Sequence, residues 1–241
     1  MKNFILMVLI LAIAQNSLAQ DTIIKKEDQL SYKCFIIPAA LIATGSILKL
    51  NPIQKNLQQD SKSTFGKNFH TKIDDFLQFV PVAQMLTGVL LGFKSKHGYK
   101  QMLTNTAMSN LLVGGITFIA KKSANDLRPD GSANNSFPSG HTATAFNNAT
   151  LLFLEYKDSN IWYASSGFLF ATATGALRVA NNRHWPGDVA AGAGIGMSIG
   201  IIVSYWNPFK FDNKNDKKTS FIGYPIINEQ SFGVGLLCRI N

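Results

Sequence analysis

Three short segments of this chain combine cationic, histidine and acidic side chains that together could hold an anion and attack it. The first segment carries two fixed positive charges, Lys121 and Arg128. The guanidinium of an arginine is a planar fork that can bind two oxygens of one phosphate or carboxylate group. Lysine and arginine near a helix end are usually solvated charges, however, so this segment alone does not indicate a binding site.

The second segment is Pro138-Ser139-Gly140-His141, and an apolar run follows it. Serine is a preferred N-cap, so a helix is predicted to begin here. The unpaired N–H groups of a helix start, together with the flexible Gly140, form a ready anion site, and His141 would lie in its first turn. A plain capped helix with a surface histidine explains the same residues equally well.

The third segment begins at Arg178 and contains His184 and Asp188, which are four residues apart. Pro186 suits the first turn of a helix, and in helical geometry residues i and i+4 lie on one face. The Asp188 carboxylate could then hold one ring nitrogen of His184 and leave the other free to act as a nucleophile. The alternative is an ion pair that only caps the helix.

The elements that position these segments are predicted to be helices. Six windows of the chain carry no charged side chain apart from His141, and none of them alternates strictly between apolar and polar residues. Short charged linkers join the windows, which predicts an all-α bundle of about six helices with the active site at helix ends on one face. The windows are Cys34–Leu48, Phe76–Phe93, Gln101–Ala120, Gly131–Leu154, Ser159–Leu177 and Val189–Phe209.

The two ends of the chain are predicted to differ from this bundle. Residues 1–19 have the pattern of a secretory signal peptide cleaved after Ala19, with an uncleaved anchor as the alternative. Residues 20–70 form an N-terminal segment with one peripheral or membrane helix, residues 71–209 the helical core, and residues 210–241 a basic tail. Alternation within Phe221–Ile240 allows a short β-hairpin.

Cys34 and Cys238 could form one disulfide after export or remain two buried thiols.

Composition limits the classes of partner. Charged residues make up 15% of the chain, against roughly 25% in an ordinary soluble domain, and the net charge is +9. This balance suits anionic partners such as lipid head groups. Nucleic acid is excluded, because the lysines are spread between apolar runs and no nucleic-acid module is present. No metal site is predicted, and the adjacent acids Asp74 and Asp75 are interpreted as a helix-start pair.

Membrane insertion and a soluble periplasmic bundle each fit part of the sequence. The mean hydropathy of +0.07 is low for a protein with six spans, and windows three and four contain several Asn, Thr and Ser residues. If windows two to six cross a membrane, Lys94–Lys100 and Lys210–Lys218 lie on the cytoplasmic side. Lys121–His141 and Arg178–Asp188 then lie together on the outer face, and the first window, which is the shortest, does not cross.

In this order the three segments read Lys-x6-Arg-Pro, Pro-Ser-Gly-His and Arg-x5-His-x3-Asp. This resembles the signature of the type 2 phosphatidic-acid phosphatase superfamily, which also includes bacterial non-specific acid phosphatases and vanadium haloperoxidases. The resemblance is close from Lys121 to Asp188 and looser from about Phe76 to Trp206. Leu177 departs from the family pattern, which usually has a serine at this position. Because that serine contacts the phosphate in the family, phosphate binding is expected to be modestly weaker here.

The resemblance implies a phosphatase that needs no metal and no cofactor. It implies that His184 attacks phosphorus and forms a phosphohistidine, that Asp188 orients His184, and that His141 protonates the leaving oxygen and then activates water. Side chains and amides of five further residues would hold the phosphoryl oxygens. These are Lys121, Arg128, Ser139, Gly140 and Arg178.

The resemblance leaves the substrate open. A site at the outer membrane boundary fits a lipid phosphate, such as phosphatidate, a polyprenyl diphosphate or a lipid A phosphate, whereas a soluble bundle fits small phosphomonoesters. The residues are also compatible with vanadate-dependent halide oxidation or with a non-catalytic lipid-binding membrane protein. The protein is expected to be exported, either to the periplasm or into the inner membrane with a periplasm-facing active site. The sequence predicts no oligomeric state.

Overall fold

The computed structural model describes residues 30–66, 69–208, 220–228 and 231–239, and it describes the last two ranges by their backbone alone. The predicted signal peptide and its cleavage site, the stretch Lys210–Lys218 and the side chain of Cys238 lie outside the described residues. Cys34 is exposed. The prediction that it is one of two buried thiols is therefore wrong.

Helices make up the described core, and they confirm the predicted all-α bundle. A 3-10 turn over Tyr32–Phe35 leads into the first α-helix. The α-helices are α1 (Ile36–Leu50), α2 (Ile53–Phe65), α3 (Ile73–Leu77), α4 (Val80–Thr87), α5 (Tyr99–Ala124), α6 (Gly140–Tyr156), α7 (Ile161–Ala180) and α8 (Pro186–Trp206). The alternating tail forms the predicted hairpin: β1 (Ser220–Asn228) pairs antiparallel with β2 (Ser231–Arg239).

Three boundaries differ from those predicted. The window Phe76–Phe93 is not one helix: α3 ends at Leu77 and α4 begins at Val80, with Pro81 in its first turn, where a missing N–H costs nothing. The charged linker predicted between the first and second windows contains a helix, α2, most of whose residues are polar. The fourth window becomes helical only at Gly140, because Gly, Pro and Asn residues before it favour turns.

The centre of the bundle is α6, in which twelve of 17 residues are buried. It packs closely against α8, because that helix presents glycines at the crossing. A Cβ built on Gly192 would lie 2.5 Å from the Ser139 carbonyl oxygen, and one on Gly196 would collide with the Ala143 carbonyl oxygen. The backbones of these two helices are therefore in direct contact. Any larger residue at either glycine would push them apart.

Asparagines that weaken the hydropathy signal of windows three and four face inward. Asn147 Nδ2 donates to Ser109 Oγ (2.9 Å), and Asn148 Nδ2 donates to the Gln78 carbonyl oxygen (3.0 Å). Asn110 Nδ2 donates to Asn148 Oδ1 (2.9 Å). These bonds join α5 and the turn after α3 to α6. The low mean hydropathy therefore reflects polar contacts between helices as well as the polar linkers.

Three helical stretches in the described part are long and apolar enough to cross a membrane: Tyr32–Leu50, Tyr99–Ala124 and Pro186–Trp206. By length and composition the first stretch is a candidate span as well, and that it does not cross stays a prediction. The pieces of window two, with five and eight residues, are far shorter than the roughly 20 residues that a spanning helix needs. The prediction that this window crosses as one helix is wrong.

Candidate active site

All three predicted segments meet at one end of the helices α5 to α8. Lys121 lies in the last turn of α5, Arg178 in the last turn of α7, and Asp188 in the first turn of α8. The N–H of Ser139 donates to the backbone carbonyl oxygen of Asp188 at 3.0 Å, which joins the second segment to the third. The close contact of α6 with α8 holds this arrangement.

His184 is 2% exposed and lies beside Asp188, which is 1% exposed. Nδ1 of His184 is 3.5 Å from Oδ2 of Asp188. That same oxygen accepts hydrogen bonds from Ser136 Oγ (2.5 Å) and from the Trp185 N–H (2.9 Å). The bond from Trp185 caps α8, so the carboxylate both caps the helix and faces the imidazole. The two interpretations of this pair therefore do not exclude each other.

Burial sets the protonation state of this histidine. Burial lowers the pKa of His184 well below its ordinary value, and the nearby positive charges of Lys121 and Arg178 lower it further, while Asp188 opposes both effects. At neutral pH the imidazole is therefore uncharged. A neutral ring has a lone pair available for attack on an electrophile.

The start of α6 offers fewer free amides than the sequence predicts. Ser139 Oγ accepts from the Thr142 N–H at 3.4 Å, as an N-cap does, but the Ser139 N–H is already engaged by Asp188. In the described part of the chain, the N–H groups of Gly140 and His141 have no hydrogen-bond partner. The amides that can receive an anion are therefore those of Gly140 and His141, whereas the prediction named Ser139 and Gly140.

Lys121 lies beside this helix start. Its Nζ donates to the carbonyl oxygens of Asn135 (2.5 Å) and Ser136 (3.3 Å). A Cβ built on Gly140 would lie 4.0 Å from Lys121 Cε, so the lysine stem passes close to the backbone of the second segment. The ammonium is thus fixed near the free amides of α6.

Two arginines complete the positive surface of the site. Arg178 is 8% exposed, and its Nη1 donates to Oδ2 of Asp74 at 2.7 Å. Nε of Arg178 and Nε of Arg128 are buried and have no hydrogen-bond partner. Burial lowers the pKa of Arg128, and the charge of Arg178 lowers it further, so the two guanidinium groups repel each other. An anion between them would satisfy the free donors and relieve this repulsion.

Sequence reasoning missed the role of the two acids in α3. Asp74 is 1% exposed, and besides Arg178 it accepts from Asn181 Nδ2 at 3.0 Å. Oδ1 of Asp75 is 3.0 Å from Nε2 of His141 and 3.9 Å from Nη1 of Arg178. Asp75 is therefore in contact with two of the predicted site residues. Two adjacent acids at the edge of an apolar window were the available signal, since a buried arginine needs a carboxylate.

His141 is less enclosed than His184, with 34% of its side chain exposed. Burial lowers its pKa below the ordinary value, the charge of Arg178 lowers it further, and Asp75 raises it. Within the described residues, no group of three or more His, Cys, Asp or Glu side chains could hold a metal ion. Metal independence stays a prediction.

Comparisons with known proteins bear on the same segments. A family model described as "PAP2 superfamily" matches residues 99–212. The chain is 41% identical over 166 residues to a lipid A 1-phosphatase from Porphyromonas gingivalis, an alignment covering 68% of this chain and 37% of that protein. It is 37% identical over 75 residues to the bacitracin transport permease protein BcrC from Bacillus licheniformis, covering 31% and 34%.

The chain thus spans about a third of the length of the curated relatives it matches. Among solved structures, the crystal structure of Aquifex aeolicus LpxE matches with a TM-score of 0.44 at 24% identity, covering 61% of this chain and 94% of that one. The family match begins at residue 99. It therefore leaves out α1 to α4, including the acids that contact Arg178 and His141.

Proposed function

Because this chain belongs to the type 2 phosphatidic-acid phosphatase (PAP2) superfamily, we propose that it is a phosphatase that removes phosphate from phosphorylated lipids. The name of the Porphyromonas relative supports a lipid phosphate as substrate. The observation that carries the proposal is a buried His184 that lies beside Asp188, in a site where two arginine Nε groups have no partner. A nucleophile beside free cationic donors is what phosphoryl transfer requires.

In the proposed first step, the free ring nitrogen of His184 attacks phosphorus. The N–P bond forms as the bond from phosphorus to the lipid oxygen breaks, and His141 donates a proton to that oxygen. Asp188 faces the other nitrogen of His184 and stabilises the positive charge that the imidazole acquires. In the second step His141 takes a proton from water, the water oxygen attacks phosphorus, and His184 and inorganic phosphate are released.

Fixed charges and amides of this chain stabilise both steps. Lys121, Arg128 and Arg178 face the negative charge spread over the phosphoryl oxygens. The free N–H groups of Gly140 and His141 add two neutral donors at a helix start, where the helix dipole favours an anion. Asp74 keeps the Arg178 guanidinium in place through its 2.7 Å ion pair. No step of this mechanism passes through a metal ion or a cofactor.

We also place the protein at a membrane. Apolar side chains of α1 and α5 are exposed, with Ile37 at 63%, Leu111 at 77% and Ile119 at 65%. Exposed apolar surface on helices long enough to span fits lipid contact. The proposed orientation sets the active site on the exported side. A soluble periplasmic phosphatase is the alternative, and fractionation of the exported protein decides between them.

The proposal is tested by measuring phosphate release from phosphatidate, a polyprenyl diphosphate, lipid A phosphate and p-nitrophenyl phosphate. We expect release from at least one lipid substrate, faster than from p-nitrophenyl phosphate. EDTA should leave the rate unchanged, and orthovanadate should inhibit, because it can occupy the phosphoryl site in a trigonal-bipyramidal form. Strong inhibition by EDTA would contradict metal independence. Dye bromination on adding vanadate, without phosphate release, would instead support a haloperoxidase.

The pH dependence of kcat/KM is expected to peak on the acidic side of neutrality. His184 must be neutral to attack and His141 protonated to donate, and burial lowers the pKa of both below 6.5, that of His184 more strongly. The rate therefore rises as the pH passes the pKa of His184 and falls as it passes the pKa of His141. Measurement of kcat/KM across the acidic range checks this profile.

Asp75→Asn should move only the falling limb of that profile. Asp75 raises the pKa of His141, so its neutralisation lowers that pKa and shifts the limb to lower pH. We expect kcat/KM at pH 7 to fall roughly 10-fold. Asp158→Asn, an exposed acid in the turn after α6, is the matched control and should leave the profile unchanged. A uniform loss at all pH values would show that Asp75 does not act through His141.

A further inference from the structure

A tight turn before His184 is held by residues that the proposed mechanism does not use. Residues 179–182 form this turn at the end of α7, where the N–H of Asn182 donates to the carbonyl oxygen of Val179 at 2.9 Å. The N–H of His184 donates to the carbonyl oxygen of Arg178 at 3.2 Å. The chain therefore folds back onto the end of α7, and the position of His184 depends on this turn.

Gln58 of α2 binds both ends of the turn. It is 2% exposed, and its Nε2 donates to the carbonyl oxygen of Val179 and to Oδ1 of Asn182, both at 2.9 Å. Reversal of the amide would place its oxygen against the Val179 carbonyl oxygen, which can only accept a hydrogen bond. The two ends of the turn are thus joined by the two protons of one buried amide.

The backbone of Asn182 needs such support. Its φ of 59° lies in the left-handed region, which asparagine tolerates better than most residues but does not prefer. A residue in this region keeps its conformation only when its surroundings fix it. The bond from Gln58 fixes the Asn182 side chain, and His184 follows two residues later. A change in the Asn182 backbone would therefore be carried directly to His184.

Asn181, the neighbouring residue in the turn, is fixed from a second side. The Thr71 N–H donates to Oδ1 of Asn181, and Nδ2 of Asn181 donates to the Thr71 carbonyl oxygen, both at 2.9 Å. Thr71 and Gln58 both precede residue 99, where the family match begins. The turn is therefore held by parts of the chain that lie outside the family match.

The imidazole of His184 has little direct support of its own. Its Nδ1 is 3.5 Å from Oδ2 of Asp188 and has no hydrogen-bond partner within the described residues. After His184 the chain is fixed, because the N–H of Trp185 donates to Asp188 and its indole N–H donates to the Leu127 carbonyl oxygen. Before His184 the turn supplies the support. Misplacement of a reacting group by about 1 Å can slow a reaction roughly 100-fold.

We propose that Gln58 is a positioning residue for the nucleophile: by fixing Asn182 and the turn, it sets the direction from which the His184 imidazole meets phosphorus. The inference rests on the proposed phosphatase function. Because the turn engages both protons of the Gln58 amide, this side chain donates nothing to the phosphoryl oxygens. Its loss should therefore slow the chemical step and leave the binding of phosphate unchanged.

Gln58→Leu removes both donors and keeps a side chain of similar size. On the lipid substrate that wild type hydrolyses fastest, we expect kcat to fall about 10-fold, with KM and the inhibition constant of inorganic phosphate changed by less than about two-fold. Gln59→Leu, at an exposed glutamine of the same helix, is the matched control and should behave as wild type. A loss of phosphate affinity as large as the loss of kcat, or an unchanged kcat, would overturn the inference.

A double-mutant cycle tests whether Gln58 acts through Asn182. Asn182→Gly removes Oδ1 and places a residue that adopts the left-handed conformation readily, and alone it should lower kcat about five-fold. The variant Q58L/N182G should then be no more than about two-fold slower than Q58L. Losses that multiply, or a wild-type rate for Asn182→Gly, would contradict the proposed coupling. Because Asn182 is only partly buried, this variant also serves if Gln58→Leu does not fold.

Hydrogen exchange gives a readout that needs no turnover. In the full chain in detergent, exchange in the peptide covering residues 178–188 should be about 10-fold faster in Gln58→Leu than in wild type, with α6 unchanged. Faster exchange throughout the protein, or unchanged exchange in 178–188, would refute the role of Gln58. If wild type releases no phosphate from any substrate, the phosphatase function is refuted, and hydrogen exchange still shows whether Gln58 holds the turn.

Discussion

Replacement of His184 by alanine is expected to slow phosphate release by a factor on the order of 10⁴ or more. No other described side chain combines such deep burial, an uncharged imidazole and a neighbouring carboxylate at 3.5 Å. His141 differs from it in being more exposed, with 34% of its side chain accessible, and the mechanism already uses it as the proton donor. The measurement is the initial rate of phosphate release from the best lipid substrate at saturating concentration.

Two further results make this prediction specific. His70→Ala, at an exposed histidine, is the matched control and should keep wild-type activity. Rapid quenching of wild type with ³²P-labelled substrate should trap label that is stable to alkali and labile to acid, as a phosphorus–nitrogen bond is. The label should be absent from the His184 variant. Label that persists there, or residual activity above about one tenth, would show that another group attacks phosphorus.

Asp188→Asn is expected to lower kcat by about 10³-fold or more with little change in KM. Asparagine has the size of aspartate, and its carbonyl oxygen can accept the bonds from Ser136 and Trp185 that Asp188 Oδ2 accepts now. It carries no charge, so it cannot stabilise the positive charge that His184 acquires when it attacks. Single-turnover kinetics should place the loss in the formation of the phosphoenzyme.

The matched variant for this carboxylate is Ser136→Ala. It removes one of the bonds to Asp188 and leaves the charge in place, so we expect a fall in rate of less than about 10-fold and a small loss of thermal stability. Losses of equal size in the two variants would mean that Asp188 acts by holding the loop rather than by its charge. A normal melting temperature of the Asp188→Asn protein separates the two effects.

The sequence predicted the fold class and the three segments because both depend on local patterns. Charge-free windows predict helices, and the residues at their ends are read directly from the chain. The break between α3 and α4 was missed, since Pro81 is compatible with the first turn of a new helix as well as with a kink. Helix α2 was missed because it is rich in polar and charged residues, whereas the helices were predicted from windows without charge.

Contacts between distant parts of the chain could not be predicted in the same way. Asp74 and Arg178 are 104 residues apart, and Asp75 and His141 are 66 apart, so only the packing of α3 against α6 and α7 joins them. The acids had a sufficient local explanation as a helix start, which hid their longer-range partners. The amide of Ser139 was predicted to face the anion for a similar reason: its bond to Asp188 needs the α6–α8 contact.

The glycines at the α6–α8 crossing divide the protein into a part that tolerates redesign and a part that does not. Residues 192 and 196 admit no side chain, so mutant libraries that vary this crossing would mostly yield proteins with a displaced nucleophile. The exposed face of α2 has no such restriction and lies outside the family match. Redesign of this protein would therefore vary the exposed face of α2 and keep the crossing unchanged.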